Sequence, residues 1–536
     1  MSKKSGGLLF IFFFISRLIF INTQDVFFDS GEYISLFSSP NYFQAIISGH
    51  APPHEGYIIL FWPVFHLAQF LHFDPVLAII LGQILLACLT IFCFYRFVSF
   101  IADKRVALIA SIIASLTPLF WITNVTIMME IAYISFFFLS LFILVKYLKT
   151  NTNVYLHLSA FLFTLAFLTH MLTLLWLPLL LYMSFLRTQE SGSAKRKNAN
   201  LVKRWIPGLR PGMTILITFS IYLATFSILN ILFISGVSKT NIPEVIHHLY
   251  LTKGGELAYL PLNLKGFLVS MRNFLIPLLR NNTSLIVILG FISLIVYLRK
   301  NKKFFVFGFL FIVPALYANQ WWDSLLNGRH AVLSSFGFAF LVAYLVRKKP
   351  LLTILLLTFT ILTALPTLSL LKKDVPYIIE ANFAKSLPKD SMLIESHFAR
   401  PQVEKAYRGQ LFSVNEPGSD KENLKREINK YLANKKPVFI SSAALSEPYG
   451  LYSGPYLHNI TLSYAKPFEM EGVIKNYTLV PHKTLSAEDN LLIYKIISTK
   501  PSAYPQIKNM KNSYRRIDYH DPIWKVTLSW QTPGVF

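Results

Sequence analysis

The feature that most constrains this chain is a series of apolar runs, each about 16–24 residues long, recurring from residue 7 to residue 371. A helix needs roughly 20 apolar residues to cross the hydrocarbon of a bilayer, and fewer when flanking side chains snorkel. Eleven candidate spans follow: 7–22, 75–99, 106–124, 127–146, 154–170, 171–186, 213–236, 283–298, 304–318, 331–346 and 351–371. The first is not read as a cleaved signal peptide, because Asn22-Thr23-Gln24-Asp25 follows it instead of a small-residue cleavage site. With 54% hydrophobic and 15% charged residues and a mean hydropathy of +0.48, the chain has too much apolar surface for a disordered or fibrous protein.

The net charge of +24 would suit nucleic-acid binding, but the placement of the charges points elsewhere. Lys3 and Lys4 precede the first span, which puts the N-terminus in the cytoplasm. Alternate loops then carry Lys104-Arg105, Lys146 and Lys149, seven cations between 187 and 210, Arg299 to Lys303, and Arg347 to Lys349. Up to residue 371, 21 of 28 Lys and Arg fall on this inner side, against two of 11 acids. No nucleic acid is needed to explain them. An odd span count places the C-terminal part outside. Tyr57 to Phe73 is apolar but short, with Pro63 in its middle, and counting it as a span would invert every later loop. It is expected to lie in or dip into the outer leaflet, within a first outer loop of 23–74.

Residues 1–371 thus form a transmembrane module. After Leu371 the spanning runs stop. Short β-type runs at 391–396, 437–441 and 491–496, with a helical stretch at 420–434, predict a small extracytoplasmic α/β domain over 372–499. Residues 500–536 form a C-terminal tail without a clear pattern. Cys88 and Cys93 lie together in one apolar run, so neither a disulfide framework nor a Cys/His metal pattern exists.

The acids cluster on the outer side, where the cations are few. The first outer loop holds Asp25, Asp29 and Glu32 directly after the first span. Asp29 and Glu32 share a face if a helix begins there, either as a capping box or as a carboxylate that takes a proton from an attacking hydroxyl. The stretch Gly49-His50-Ala51-Pro52-Pro53-His54-Glu55-Gly56 forms a sharply turning loop whose His and Glu lack a complete ligand spacing. No metal ligand is assigned from the sequence, and a divalent metal remains among the possible cofactors. Trp121, Asn124 and Glu130 lie at the outer ends of the third and fourth spans, and His170 at the next outer turn. Arg329 and His330 precede the tenth span, where the cation could hold a phosphate or anchor the interface.

These residues resemble the GT-C superfamily of polytopic membrane glycosyltransferases, and most of all its protein O-mannosyltransferase branch of the transmembrane protein 260 type. The resemblance rests on Asp29-Ser30-Gly31-Glu32, the 49–57 stretch, Pro118 to Trp121 with Glu130, and Thr169-His170, over roughly residues 20–185. The spacing in the 49–57 stretch departs from the branch pattern, which leaves either His50 or His54 for its histidine. The resemblance implies an α-helical polytopic fold and a polyprenyl-phosphate-linked sugar donor, mannose among the candidates. The acceptor would be a protein, lipid or glycan hydroxyl. Asp29 would be the general base, with Glu32 and Glu130 orienting the acceptor or Asp29. Substrate contacts would come from His50, His54, Glu55 and His170, and Arg329 with His330 would neutralise the phosphate. The membrane would be a bacterial plasma membrane, or the endoplasmic reticulum of a eukaryote. A non-catalytic protein that binds or assembles lipid-linked glycans, or a transporter of such lipids, would show a similar exterior. A transporter, however, needs polar residues at the helix centres, and these are almost free of charge.

Overall fold

The computed structural model describes residues 3–24, 28–47, 54–183, 211–246, 284–321, 332–372, 374, 376–396, 400–414, 420–445, 473–486, 491–498, 514–520 and 527–533. The chain divides into two compact units. One comprises residues 1–23 and 33–368, and the other comprises residues 24–32 and 369–536.

The first unit is helical. Its elements are α1 (Lys3–Leu18), α2 (Phe28–Ser38, from Tyr33 onward), α3 (Tyr42–Ile47), α4 (Glu55–Phe70), α5 (Pro75–Ile101), α6 (Lys104–Leu116), α7 (Pro118–Val125), α8 (Glu130–Thr150), α9 (Asn153–Thr169), α10 (Met171–Met183) and α11 (Pro211–Ser238). Further helices run over Ser284–Lys300, Lys302–Trp321, Val332–Val346 and Pro350–Ser369. Helix therefore occupies each of the eleven apolar runs. Among the described residues, Pro75–Ile101, Glu130–Thr150 and Gly212–Ser238 are long and apolar enough to cross a membrane, and several shorter helices are apolar. Aspartates open two of the helices. Asp74 Oδ1 accepts from the Val76 and Leu77 amides, and Asp103 Oδ1 from those of Arg105 and Val106. Each satisfies amide groups that the first turn leaves without partners.

The expected third span, 106–124, is not one rod. α6 and α7 meet at a 63° bend, and the break falls at Thr117-Pro118. Proline has no N–H to continue the ladder and disfavours helical backbone in the residue before it. α4 forms despite Pro63, ends at Phe70, and is not among the helices long and apolar enough to span.

The core lies between α5, α6, α8, α9 and the later helices. Phe336 sits at its centre, with ring centroids 4.6 Å from Phe138, 4.9 Å from Phe94 and 5.1 Å from Phe120. Between apolar helices in lipid, close packing and hydroxyl bonds replace the hydrophobic drive. Ser140 and Ser159 donate to each other's carbonyls at 2.8 Å and join α8 to α9. Thr90 and Ser135 hydroxyls meet at 2.7 Å between α5 and α8. Cys88 and Cys93 are buried in α5 as free thiols.

The second unit carries a five-stranded sheet ordered β2-β1-β3-β5-β4. Its strands are β1 (Met392–Ser396), β2 (Gln410–Val414), β3 (Val438–Ser441), β4 (Thr478–Ser486) and β5 (Leu491–Ser498). β1 runs parallel to β2 and β3, and β5 is antiparallel to β3 and β4. β3 is buried along its whole length, as a central strand flanked on both faces should be. Pro481 lies on β4, at the sheet edge, where a missing donor is tolerated. The helix Lys421–Ala433 is capped by Asp420 and buries Leu424 and Ile428, four residues apart, toward the sheet core. Within 500–536, where no structure was assigned from sequence, β6 (Tyr514–His520) and β7 (Thr527–Pro533) form an antiparallel pair.

Candidate active site

α2 starts at Phe28, so Asp29 and Ser30 lie inside its first turn and not at its cap. The capping-box alternative for Asp29 and Glu32, which needs the helix to begin after Asp29, is thereby set aside. A carboxylate in the first helical turn is still favoured by the positive end of the helix dipole. The side chain of Asp29 lies outside the described residues, as do Asp25, His50, Arg329 and His330. Glu32 is half-buried and, with residues 24–31, belongs to the second unit, where Gln24 Nε2 donates to Asp374 Oδ1 at 2.5 Å.

The first unit gathers the remaining sequence-predicted residues, His54, Glu55, Glu130 and His170, into one buried polar cluster. His54 and Glu55 precede and open α4, and both are buried. Gly56 lets α4 approach α9 so closely that a β-carbon there would overlap Thr169 Oγ1. That approach brings His54 Nδ1 to 3.1 Å from the Thr169 carbonyl, and the next residue is His170. A carbonyl only accepts, so His54 carries a proton on Nδ1. His170 Nδ1 accepts from the Leu172 amide at 3.2 Å, capping the 3₁₀ turn that opens α10, so its ring is neutral with the proton on Nε2. The two rings lie 6.0 Å apart, with His54 Nδ1 turned to a carbonyl and His170 Nδ1 turned to an amide.

Tyrosines fill the space around them. Tyr33 packs against His54 at 6.0 Å and Tyr57 at 4.9 Å, and Tyr133 packs against His170 at 5.0 Å. The Tyr33 hydroxyl donates to Met129 Sδ at 3.0 Å, directly before Glu130. Glu130 opens α8, is fully buried, and interacts electrostatically with Tyr57. A carboxylate at the start of an apolar helix is supported by the dipole and poorly hydrated, which suits proton exchange or orientation of a polar group.

Glu55 Oε1 accepts from Asn230 Nδ2 of α11 at 3.1 Å. Burial pushes the Glu55 carboxyl up to about 7, while the Asn230 bond works in the opposite direction. Glu55 therefore changes charge near neutrality.

Sequence reasoning missed Gln83, Tyr33, Tyr57, Tyr133 and Asn230. Gln83 had a usable signal, a primary amide in the interior of a 27-residue apolar helix. Its Oε1 accepts from the Tyr57 hydroxyl at 3.1 Å, and Nε2 reaches the carbonyls of Thr123 at 3.1 Å, Thr126 at 2.9 Å and Met128 at 3.3 Å. The tyrosines had none, because in an aromatic-rich chain they read as core. Asn124 starts a glycosylation-type sequon but is fully buried. Among the described residues, no three His, Cys, Asp or Glu come together as metal ligands.

Solved structures show distant likeness to this chain. ArnT from Cupriavidus metallidurans in the apo state is 11% identical with a TM-score of 0.38, over 94% of this chain and 100% of that one. The apo oligosaccharyltransferase of Archaeoglobus fulgidus is 10% identical with a TM-score of 0.47, over 94% and 75%. Arabinofuranosyltransferase AftD from Mycobacteria is 11% identical with a TM-score of 0.42, over 97% and 41%. Among curated proteins none matches significantly. At the level of sequence families, residues 57–203, which carry Tyr57, Gln83, Trp121, Glu130 and His170, match the family described as dolichyl-phosphate-mannose-protein mannosyltransferase.

Proposed function

We propose that this chain is a GT-C type membrane glycosyltransferase that moves a sugar from a polyprenyl-phosphate donor to an acceptor hydroxyl at the extracytoplasmic face. The observation that carries the proposal is the family match over 57–203, because the buried Glu130 and His170 of the polar cluster both fall inside it. The eleven-span topology, the inner N-terminus and the outer sheet unit belong to the same reading, as does the assignment to the branch of the transmembrane protein 260 type, with mannose as the favoured sugar.

In this mechanism Asp29 accepts the proton of the acceptor hydroxyl. The oxygen attacks the anomeric carbon from the face opposite the phosphate. The carbon–oxygen bond to the phosphate breaks as the new one forms, and the configuration inverts. The lipid phosphate leaves with the bonding pair as a stable anion, so stabilising charge matters more than protonating the leaving group. Arg329 and His330 are assigned that task. Glu130 and Glu32 orient the acceptor, and the tyrosine and histidine rings exclude water around Glu130.

The test uses the full chain in nanodiscs with polyprenyl-phosphate-mannose and a mixture of peptide, glycan and lipid acceptors. Transfer by the parent with about 10³-fold or greater loss in Asp29→Asn is the expected result. Full activity of Asp29→Asn removes Asp29 from the mechanism. Binding of the donor without transfer to any acceptor would favour a non-catalytic glycan-binding protein.

A further inference from the structure

The segment from Ser115 to Met129 leaves helical structure twice, at the Thr117-Pro118 break and again after Val125. Each exit strands backbone carbonyls at or near membrane depth, where no bulk water can satisfy them. Five of these carbonyls are met by donors from elsewhere in the first unit. Arg17 of α1 donates through Nη2 to the Ser115 carbonyl in the last turn of α6. The Asn22 amide, just after α1, donates to the Val125 carbonyl at 3.0 Å. Gln83 of α5 supplies Thr123, Thr126 and Met128.

Arg17 is more than a surface cation that has strayed inward. It is buried, and its guanidinium carbon lies 3.7 Å from the Phe13 ring centroid and 3.8 Å from that of Trp121 on α7. One side chain thus places a positive charge at the C-terminal end of α6, where the dipole favours it, and grips the first turns of α7 through the indole. Gln83 holds the far end, and its amide orientation is fixed by the Tyr57 hydroxyl. The residue that follows this clamped stretch is Glu130.

We propose that Arg17 and Gln83 are positioning residues for sugar transfer, which together fix the path of residues 115–129 and so the placement of Glu130. Neither side chain touches substrate. Their contribution lies in holding a non-helical backbone to one course, so that the carboxylate at the head of α8 meets the acceptor in a single geometry. This inference rests on the transferase reading above, but the clamp itself does not.

Gln83→Met keeps the side-chain volume while deleting the NH2 donor that the three carbonyls share, and Arg17→Met deletes the Ser115 bond and the charge. Arg17→Lys retains the charge and one donor. Hydrogen–deuterium exchange of the full chain in nanodiscs should rise about tenfold in peptides covering 117–130 for both Met variants, with α8 and α9 beyond residue 135 unchanged. With polyprenyl-phosphate-mannose as donor, kcat should fall about 10²-fold while the donor KM stays within about twofold, and Arg17→Lys should recover most of the loss. Unchanged exchange in 117–130 overturns the clamp. Raised exchange with parental kcat, or a loss seen in KM alone, overturns the positioning role. General loosening across α5, α8 and α9 also overturns it, since that is the mark of a fold defect. A parent chain that transfers no sugar refutes the transferase reading, and the exchange pattern then still decides the clamp.

Discussion

At the scale of single residues, the acids of the outer side were visible in the sequence because charge is rare in this chain. Glu130 at the head of an apolar run and Glu55 beside two histidines stand out on composition alone. What could not be read was their surroundings. Nothing in the spacing shows that Glu55 is bonded by Asn230, 175 positions away, or that burial brings its titration to about 7. The raised value has a consequence for stability. A carboxyl whose folded pKa exceeds its unfolded one stabilises the fold fully below the unfolded value near 4.5, and that contribution is lost as pH rises through about 7. Thermal unfolding of the parent in detergent should therefore shift downward by a few degrees between pH 6 and pH 8. Glu55→Gln, which keeps an acceptor for Asn230 without the ionisation, should flatten that interval. An identical pH dependence in the variant would show that Glu55 is not the group responsible.

At the scale of elements, helix placement was legible and helix continuity was not. Apolar runs announce where a helix must be, since no other local structure satisfies its own backbone in hydrocarbon. Pro118 was part of a motif in the sequence, yet the 63° bend it produces needed Arg17, Asn22 and Gln83 to supply donors from distant segments. The same division holds in the sheet unit. β1, β3 and β5 were legible as apolar runs, whereas the edge strands β2 and β4 were not, because half-exposed strands lack a distinctive pattern.

That unit also buries Glu380, on the helix Pro376–Ala384, beside Glu395 of β1, and Ser441 Oγ donates to Glu395 Oε1 at 2.7 Å. Burial first, and the neighbouring carboxylate second, push the Glu380 carboxyl well above its ordinary 4.5. Its stabilisation is complete in acid and declines as pH rises through the elevated value. Glu380→Gln should raise the denaturant midpoint of the full chain at pH 8 and leave it nearly unchanged at pH 5. A variant that is destabilised equally at both would mean that the carboxyl is held by hydrogen bonding that the amide cannot replace.

At the scale of the whole molecule, the eleven-span reading makes the charge of +24 a matter of orientation and not of substrate. On the eleven-span reading, 21 of the module's 28 cations fall on loops assigned to the cytoplasm, and the outer loops carry nine acids against six cations. That asymmetry fixes the sidedness of every element if the span count is odd, and α4 is the segment on which the parity turns. α4 is 16 residues long, about 24 Å at 1.5 Å per residue, and it carries Pro63 in its interior. A hydrocarbon core about 30 Å thick is not crossed by that length without bilayer thinning. Topology reporters fused after Thr150 and after Lys373 should accordingly read cytoplasmic and extracytoplasmic. A cytoplasmic signal after Lys373, with Thr150 unchanged, would place an uncounted crossing between them. Reversal of both signals would mean that α4 spans and that the basic loops face outward. Such a crossing would leave His54 and Glu55 outside while carrying Glu130 and His170 inside, and the 6.0 Å between the His54 and His170 rings argues against it.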